Sequence, residues 1–339
     1  MAEMLNTRPL TMDQSGMSRS ALKNEVALVT GGAGTIGLAL SRCLAWLGAR
    51  VIITGRNQQN GLAAADQINR ESRPGTALYI HADISDAASV KNLAAQAIQS
   101  FGKVDILVNN AMDMTQGASI LRGSVEALDK QYAVAVRGAL LVIQAFVPAM
   151  QARKHGVVTY GASTFRAPSG PANYCAVKSA TSSMMMSLAV EVGPVKDNGV
   201  AVFMFIPTFV GVPRPPDPSR PAPAFVSLPT VIGYGTAMPP EDCGAALSYC
   251  IVHASEIHGS GVNAGQAHKR MHWPFPRPET VPAKDFDRIR NQVEVRMFGY
   301  VGNGWPDAIE PLVTVDRSKA PVNEPLSISA LFQVAADSP

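Results

Sequence analysis

Residues 26–37, which read VALVTGGAGTIG, decide the fold of this chain. The run 26–30 is short, apolar and rich in valine, as expected of a buried strand, and the residues after 37 have the periodicity of an amphipathic helix. Glycines in the connecting turn let the backbone approach a ligand closely. Amide groups and the positive end of the helix dipole favour a pyrophosphate at such a turn. The stretch therefore predicts a strand, turn and helix that bind a dinucleotide.

Apolar runs and helical patterns alternate along most of the chain. Strands separated by helices pair in parallel through right-handed crossovers, so the pattern predicts a doubly wound α/β Rossmann fold with about seven parallel strands and helices on both faces. Ligands bind at the carboxyl ends of such strands. The predicted strands are 26–29, 51–54, 77–82, 104–108, 156–160, 200–206 and 261–264, and the predicted helices are 36–47, 58–70, 86–101, 124–153, 174–192 and 240–254.

Tyr174 and Lys178 stand four residues apart on a predicted helix, so their side chains share one face. An ammonium beside a phenol favours its ionised form, which makes the tyrosine usable as an acid or base near neutral pH. Taken alone, the spacing also fits a half-buried tyrosine beside a solvated lysine. The glycine turn earlier in the sequence favours the interpretation of Tyr174 as an acid or base.

With the glycine turn and the Tyr-x-x-x-Lys motif in this order, residues 21–266 resemble the classical short-chain dehydrogenase/reductase family. In that family the tyrosine donates a proton to a carbonyl or accepts one from an alcohol, while a nicotinamide exchanges the hydride. The resemblance implies the catalytic set Ser163, Tyr174 and Lys178, with Ser163 polarising the substrate oxygen and Lys178 lowering the tyrosine pKa. It implies cofactor contacts from Gly31, Gly34, Thr35, Ile36, Gly37, Arg56, Asp83, Ile84, Asn110, Ala111, Tyr174, Lys178, Pro207 and Val210.

Several positions depart from the family pattern. The most consequential is Ala135, because the family carries there an asparagine that kinks its helix and holds a water linking the lysine to solvent. We expect a slower or differently wired enzyme. Two alternatives stay open, namely a cofactor-binding relative without redox turnover, acting as a sensor or scaffold, and a non-redox lyase or isomerase. The other departures are Thr35, Met112, Thr208 and Val212.

The end of the second predicted strand bears on cofactor choice. Enzymes that use NAD(H) usually carry an acidic residue there, whereas the 2′-phosphate of NADP(H) needs a cation. This chain has Gly55 at the acidic position and Arg56 next to it, which favours NADP(H). The alternative reading of Arg56 is an ordinary exposed arginine at a helix entrance.

Residues 211–238 are predicted to form a proline-rich lid over the substrate. Apolar residues behind the prolines favour a small, moderately hydrophobic or aromatic substrate, although a proline-rich spacer is the alternative. Arg166 borders the same region and either contacts an acidic group or faces solvent. The lid belongs to a catalytic domain at 21–267, with a flexible arm at 1–20 and a partly helical extension at 268–339. Within that extension, 283–298 is predicted to be a helix with one apolar face that covers another surface, and the alternative beyond about 305 is a disordered remnant.

The composition argues against other partner classes. A net charge of +3 over 339 residues, without a basic cluster, predicts no nucleic-acid surface. No apolar run reaches the length of a membrane span, so we expect a cytoplasmic protein without a membrane segment. We predict no metal site, since the cysteines lack ligand spacing and the histidines near the last strand, His258, His268 and His272, are expected at the surface.

Met184, Met185 and Met186 face several directions of the predicted helix 174–192. The family packs this helix and the helix 124–153 against a second subunit, so we expect a homodimer or homotetramer. The alternative is that these methionines belong to the internal core.

Overall fold

The computed structural model describes residues 8–113, 121, 123–163, 172–207, 210–211 and 238–273. Within these residues, seven parallel strands form one sheet in the order β3-β2-β1-β4-β5-β6-β7, which confirms the predicted Rossmann fold. The sheet reverses its winding between β1 and β4, where this architecture binds ligands. The strands are β1 Val26–Thr30, β2 Arg50–Gly55, β3 Ala77–His81, β4 Ile106–Asn109, β5 Gly156–Gly161, β6 Val200–Ile206 and β7 Gly261–Asn263.

Helices connect the strands and cover both faces of the sheet. Several begin at a residue whose side chain accepts a hydrogen bond from the first turn, as Asn57, Asp86 and Ser124 do. The helices are α1 Thr35–Trp46, α2 Gln58–Glu71, α3 Ala87–Phe101, α4 Val125–Tyr132, α5 Ala139–Arg153, α6 Ala172–Val192, α7 Val195–Asn198, α8 Pro240–Val252 and α9 Ala264–Arg270.

The core lies in two layers, one on each face of the sheet. Val29 belongs to the layer under α1, α2 and α8, and its neighbour Leu28 belongs to the layer under α3, α5 and α6. Every residue of β6 is buried. Strands that are apolar on both faces are typical of a parallel sheet with helices on either side, so each of these short strands is held in place from two directions.

The stretch predicted as one helix at 124–153 is divided by a π-helical segment at Ala133–Gly138, between α4 and α5. By length and composition, Val125–Arg153 is apolar enough to cross a membrane, with a mean hydropathy of 1.8. However, 56% of that window is buried inside the domain, as in the core helix of a globular protein. We therefore assign it to the core.

Both ends of the described chain correct the predicted boundaries. Residues 8–20 were expected within a flexible arm, but Met12 is 1% exposed and the Arg8 amide donates to Glu241 Oε1 at 2.9 Å. Buried Arg42 reinforces this contact, since it donates to the Arg8 carbonyl and forms an ion pair with Glu71 at 2.8 Å. The segment packs because the core beneath it offers an apolar site and buried polar partners.

His268 was predicted at the surface, and this prediction is wrong. Its ring is fully buried and stacks on Trp273 at 5.4 Å between ring centroids, while Nε2 donates to the Asp242 carbonyl at 2.9 Å. Burial lowers the His268 pKa to about 4, so the ring is neutral near pH 7. The packed domain therefore continues to residue 273 instead of ending at 267. Residues 212–237 of the lid predicted at 211–238, and the extension beyond 273, lie outside the described residues.

Candidate active site

The glycine turn is built so tightly that side chains do not fit in it. Gly31 has φ +63°, in the left-handed region that favours glycine, and its amide donates to the Thr54 carbonyl at 2.8 Å. A methyl group on Gly37 would overlap the Gly31 carbonyl oxygen and stand 2.8 Å from Asn110 Nδ2. The close approach of α1 to β1 therefore depends on Gly37.

Helix α1 points its amino end at this turn. Its N-cap is Gly34, which has no side chain to cap the first turn, and Thr35 and Ile36 begin the helix. Uncapped amides at the positive end of the helix dipole are suited to a phosphate. A turn without side chains at Gly31, Gly34 and Gly37 and the uncapped amides of the helix start together fit a dinucleotide pyrophosphate.

Asn110 and Thr30 join this turn to the end of β4. The Asn110 Nδ2 group donates to the Thr30 carbonyl at 3.0 Å and to the Gly31 carbonyl at 3.3 Å. In return, Thr30 Oγ1 accepts from the Asn110 and Ala111 amides at 3.0 Å each. The predicted residues Asn110 and Ala111 therefore stand beside the glycine turn, at the carboxyl edge of the sheet.

Asp83 and Ile84 follow β3 at the same edge. Asp83 Oδ1 accepts hydrogen bonds from the Ser85 amide at 2.9 Å and the Ser85 hydroxyl at 2.7 Å. Partial burial acts to raise the Asp83 pKa, but these hydrogen bonds and the nearby Arg56 charge together hold it below its usual value. The carboxylate is therefore an acceptor near neutral pH. Ile84 is buried and packs against Gly138, so its side chain belongs to the core.

Arg56, which follows β2, contacts the carboxylate of Asp113, a residue that was not predicted to belong to the site. Its Nη2 atom lies 3.6 Å from Asp113 Oδ2. The side chain of Arg56 is 58% exposed, whereas that of Asp113 is 9% exposed. Arg56, the residue predicted to bind the cofactor phosphate, therefore forms an ion pair with Asp113 in this structure.

The three predicted catalytic residues lie at the end of β5 and on α6, next to one another. Ser163 and Lys178 are each 8% exposed, and the Ser163 side chain forms a hydrogen bond with Tyr174. The Lys178 ammonium donates a short hydrogen bond to the Gly161 carbonyl. It lies 5.6 Å from the centre of the Tyr174 ring and 4.7 Å from that of Tyr160. The structure therefore brings this serine, tyrosine and lysine together in one pocket.

The pKa values at this site differ from the expectation that Lys178 lowers that of Tyr174. Burial raises the Tyr174 pKa, and the hydrogen bond with Ser163 offsets that rise in part. Burial also lowers the Lys178 pKa to about 8. In this structure the ammonium donates to the Gly161 backbone carbonyl. Positive charge near the phenol, from Lys178 or from a bound ligand, favours ionisation of Tyr174.

The π segment persists although Ala135 replaces the asparagine of the family pattern. Thr181 Oγ1, on α6, contacts the Ala135 carbonyl at 3.1 Å and the Val177 carbonyl at 2.9 Å. This contact joins the π segment to the helix that carries Tyr174 and Lys178. The sequence reading missed Thr181, which no spacing rule identifies.

Tyr160 is a second residue of this pocket that was not predicted from the sequence. It is 2% exposed, one face of its ring lies under Lys178, and its hydroxyl has no hydrogen-bond partner among the described residues. Asn109, its register partner on β4, is equally buried, and its amide has no partner there either. Tyr160 and Asn109 are polar residues in mainly apolar strands, and this could have indicated a polar pocket beneath Lys178.

The remaining predicted contacts lie after β6. Pro207 follows the strand directly, and Val210 pairs in parallel with Met238 as an isolated bridge. Thr208, Val212 and Arg166 lie outside the described residues. The structure thus brings the predicted site residues to one edge of the sheet, although the side chain of Ile84 packs into the core.

One group with metal-ligand chemistry lies at the opposite edge of the sheet. Ligand atoms of Glu25, Asp105 and His155 come within 4.8 Å of one another. Lys103 and Arg153 form ion pairs with Asp105 at 2.8 Å and 3.2 Å, so cations from the protein already balance the carboxylates. We interpret the group as an ion-pair cluster.

Comparison with known proteins agrees with this geometry. The sequence profile described as "short chain dehydrogenase" matches residues 25–215. The chain is 30% identical over 260 residues to human "Dehydrogenase/reductase SDR family member 4", covering 75% of this chain and 91% of that protein. It is 32% identical over 202 residues to a 2,5-dichloro-2,5-cyclohexadiene-1,4-diol dehydrogenase of Sphingobium indicum, covering 58% of this chain and 78% of that one.

Solved structures show the same similarity. A metagenomic short-chain oxidoreductase in complex with NADP superposes with a TM-score of 0.58 at 26% identity, over 72% of this chain and 97% of that one. A putative beta-ketoacyl-ACP reductase superposes with a TM-score of 0.59 at 32% identity, over 71% of this chain and 96% of that one. On fold, site geometry and sequence similarity, the chain belongs to the short-chain dehydrogenase/reductase family of oxidoreductases.

Proposed function

We propose that this protein is an NADP(H)-dependent oxidoreductase that interconverts a carbonyl and an alcohol on a small, moderately hydrophobic or aromatic substrate. The observation that carries the proposal is the convergence of Ser163, Tyr174 and Lys178 beside the glycine turn, at one edge of the sheet. A buried hydroxyl, phenol and ammonium in one pocket are suited to proton transfer at a substrate oxygen.

In the reductive direction, Tyr174 donates its phenolic proton to the carbonyl oxygen, and Ser163 donates a hydrogen bond to the same oxygen. A bound nicotinamide would supply the hydride and would carry positive charge in its oxidised form. The Lys178 ammonium, together with that charge, would stabilise the phenolate that proton donation leaves behind. In the oxidative direction the Tyr174 phenolate removes the alcohol proton.

For the cofactor, Gly31, Gly34 and Gly37 would give a pyrophosphate access to the backbone, and Arg56 would bind a 2′-phosphate. Asp83 would accept a hydrogen bond from the adenine. The NADP bound to one structural neighbour supports this choice, as does Gly55 at the position where NAD(H) enzymes are acidic.

A second candidate function is cofactor binding without turnover. The observations in its favour are Ala135 in place of the relay asparagine and a Tyr174 pKa that burial raises. Such a protein would bind NADPH as a sensor or scaffold. Binding and turnover therefore have to be measured separately.

The test uses purified full-length protein. NADPH and NADH are titrated by cofactor fluorescence, and turnover is followed at 340 nm on a panel of ketones, aldehydes and alcohols. We expect tighter binding of NADPH and measurable turnover that Tyr174→Phe lowers by about 10³-fold. Tyr249→Phe, on α8, is the control and should leave the rate unchanged. Binding without turnover on the whole panel would favour the second candidate, and turnover unaffected by Tyr174→Phe would refute the mechanism.

We further propose a cytoplasmic homo-oligomer in which a second copy covers an apolar face of α4 and α6. Val190 is 82% exposed and Val125 68% exposed, while Met185 of the methionine run is buried in the core. Exposed apolar side chains at helical spacing favour a helix–helix contact. Light scattering would contradict the proposal if it found a monomer whose molar mass Val190→Glu does not change. The face comprises Val125, Leu128, Tyr132, Met186 and Val190.

A further inference from the structure

We infer that Asp113 is a specificity-determining residue, whose carboxylate competes with the 2′-phosphate of NADP(H) for the guanidinium of Arg56. The inference rests on the proposed function, in which Arg56 binds that phosphate. Asp113 thereby weakens a preference for NADP(H) that Arg56 alone would make stronger.

The ion pair crosses the groove that the cofactor needs. Arg56 directly follows β2, and Asp113 lies four residues beyond the end of β4. Strands β2 and β4 flank β1 on its two sides, and the glycine turn follows β1. The contact between Arg56 Nη2 and Asp113 Oδ2, at 3.6 Å, therefore joins the two flanks over the end of the middle strand.

The carboxylate is the fixed partner of the pair and the guanidinium is the mobile one. Buried Gln131, on α4, donates from Nε2 to the Asp113 backbone carbonyl at 2.9 Å and holds the backbone in place. The Asp113 side chain is 9% exposed, whereas that of Arg56 is 58% exposed and free to turn about its long stem. A phosphate that recruits Arg56 must draw it away from Asp113 or bind beside that negative charge.

Both routes weaken the binding of NADPH more than the binding of NADH, because NADH lacks the 2′-phosphate. Like charges a few ångströms apart repel, and the repulsion is stronger where burial reduces the screening by water. Arg56 has enough donors to contact two anions, but its single positive charge is then shared between them. Replacing the carboxylate with an amide of the same shape removes the competition and leaves the Gln131 contact intact.

The experiment is a double-mutant cycle read by cofactor affinity. Dissociation constants for NADPH and NADH are measured by fluorescence titration for the wild type, Asp113→Asn, Arg56→Gln and the double variant, at two salt concentrations. We expect Asp113→Asn to raise the ratio of NADPH affinity to NADH affinity by about tenfold, and Arg56→Gln to lower it. In the Arg56→Gln background, the effect of Asp113→Asn should shrink severalfold. Asp129→Asn, an exposed change of the same charge on α4, should leave the ratio unchanged.

The outcomes separate the inference from the proposed function. If Arg56→Gln lowers the ratio but Asp113→Asn leaves it unchanged, the inference is refuted and the NADP(H) proposal stands. A lower ratio in Asp113→Asn would also refute it and would assign Asp113 to holding Arg56 ready for the phosphate. If Arg56→Gln does not change the ratio, Arg56 is not the phosphate ligand, and both proposals fail. Thermal denaturation of each variant verifies that the fold is retained.

Discussion

The glycine turn and the pocket around Lys178 lie at the same edge of the sheet but are built in different ways. The turn is a backbone structure in which Asn110 and Thr30 bond to the chain beside them, and Gly37 fits because it has no side chain. The pocket is a side-chain structure whose ammonium and phenol both have shifted pKa values. Tyr160 adds a buried hydroxyl without a partner among the described residues.

This difference shows where the protein is complete by itself and where it depends on a ligand. In the turn, hydrogen bonds within the chain fix the backbone shape and leave the uncapped amides of α1 in place for a phosphate, so binding needs little rearrangement. In the pocket, burial opposes the charged forms of both Tyr174 and Lys178, and the positive ring of an oxidised nicotinamide would favour the phenolate. Substitutions in the turn should therefore change the fold, and substitutions in the pocket should change protonation.

Gly37→Ala should have the largest effect, because the added methyl group lies where the atoms of the turn are packed most tightly. The new methyl group would overlap the Gly31 carbonyl and force α1 away from β1. We expect the free energy of unfolding to fall by at least about 3 kcal/mol and cofactor binding to be lost. Urea denaturation and NADPH titration measure the two effects.

The control for this substitution is Gly55→Ala, because a methyl group at Gly55 meets no atom within 4 Å. We expect its free energy of unfolding to stay within about 1 kcal/mol of the wild type. Equal destabilisation by the two substitutions would mean that the overlap at Gly37 does not determine the effect.

The sequence predicted the turn well because its cause is local. Glycines at 31, 34 and 37 and an apolar run before them leave few other structures, and the predicted start of α1 is one residue from that observed. The pocket was predicted in its members but not in its electrostatics. Burial of Tyr174 and Lys178 depends on how α6 packs on the sheet, which no spacing within the motif describes.

Other features escaped prediction because they join residues far apart in the chain. The pair of Arg56 and Asp113 depends on two loops that the fold brings together. Burial of His268 depends on Trp273, which the sequence placed in a tail. The π segment at 133–138 was unexpected without its asparagine, and Thr181 contacts it from another helix. Each of these contacts is set by tertiary packing, which a single sequence does not reveal directly.

The pocket is tested next through the pH dependence of stability. Lysine has an ordinary pKa of 10.5, and burial lowers that of Lys178 to about 8 in the folded protein. Between these pH values the unfolded chain holds more protons at this residue than the folded protein, so raising the pH stabilises the fold. Below pH 8 both states are protonated, and the full cost of the buried ammonium is present.

Lys178→Met removes this titration. We expect the free energy of unfolding of the wild type, minus that of Lys178→Met, to rise by about 3 kcal/mol between pH 7 and pH 10.5. Other groups titrate in both proteins and largely cancel in the difference. Lys196→Met, at an exposed position on α7, should give a nearly constant difference over the same range. A constant difference for Lys178→Met as well would show that the ammonium is solvated.

Tyr160→Phe should have the smallest effect and asks whether the pocket leaves a polar group unsatisfied. The Tyr160 hydroxyl is buried and meets no hydrogen-bond geometry among the described residues. Burial raises its pKa, and the neighbouring Thr181 hydroxyl offsets that rise in part. Thr181 is the comparison within the same pocket, since its hydroxyl contacts two carbonyls. Losing the tyrosine hydroxyl should change the free energy of unfolding by less than about 1 kcal/mol, towards greater stability, whereas Thr181→Val should lose about 1 kcal/mol. If Tyr160→Phe instead loses as much as Thr181→Val in urea denaturation, the hydroxyl is hydrogen-bonded in solution. The pocket would then resemble the turn in being satisfied without a cofactor.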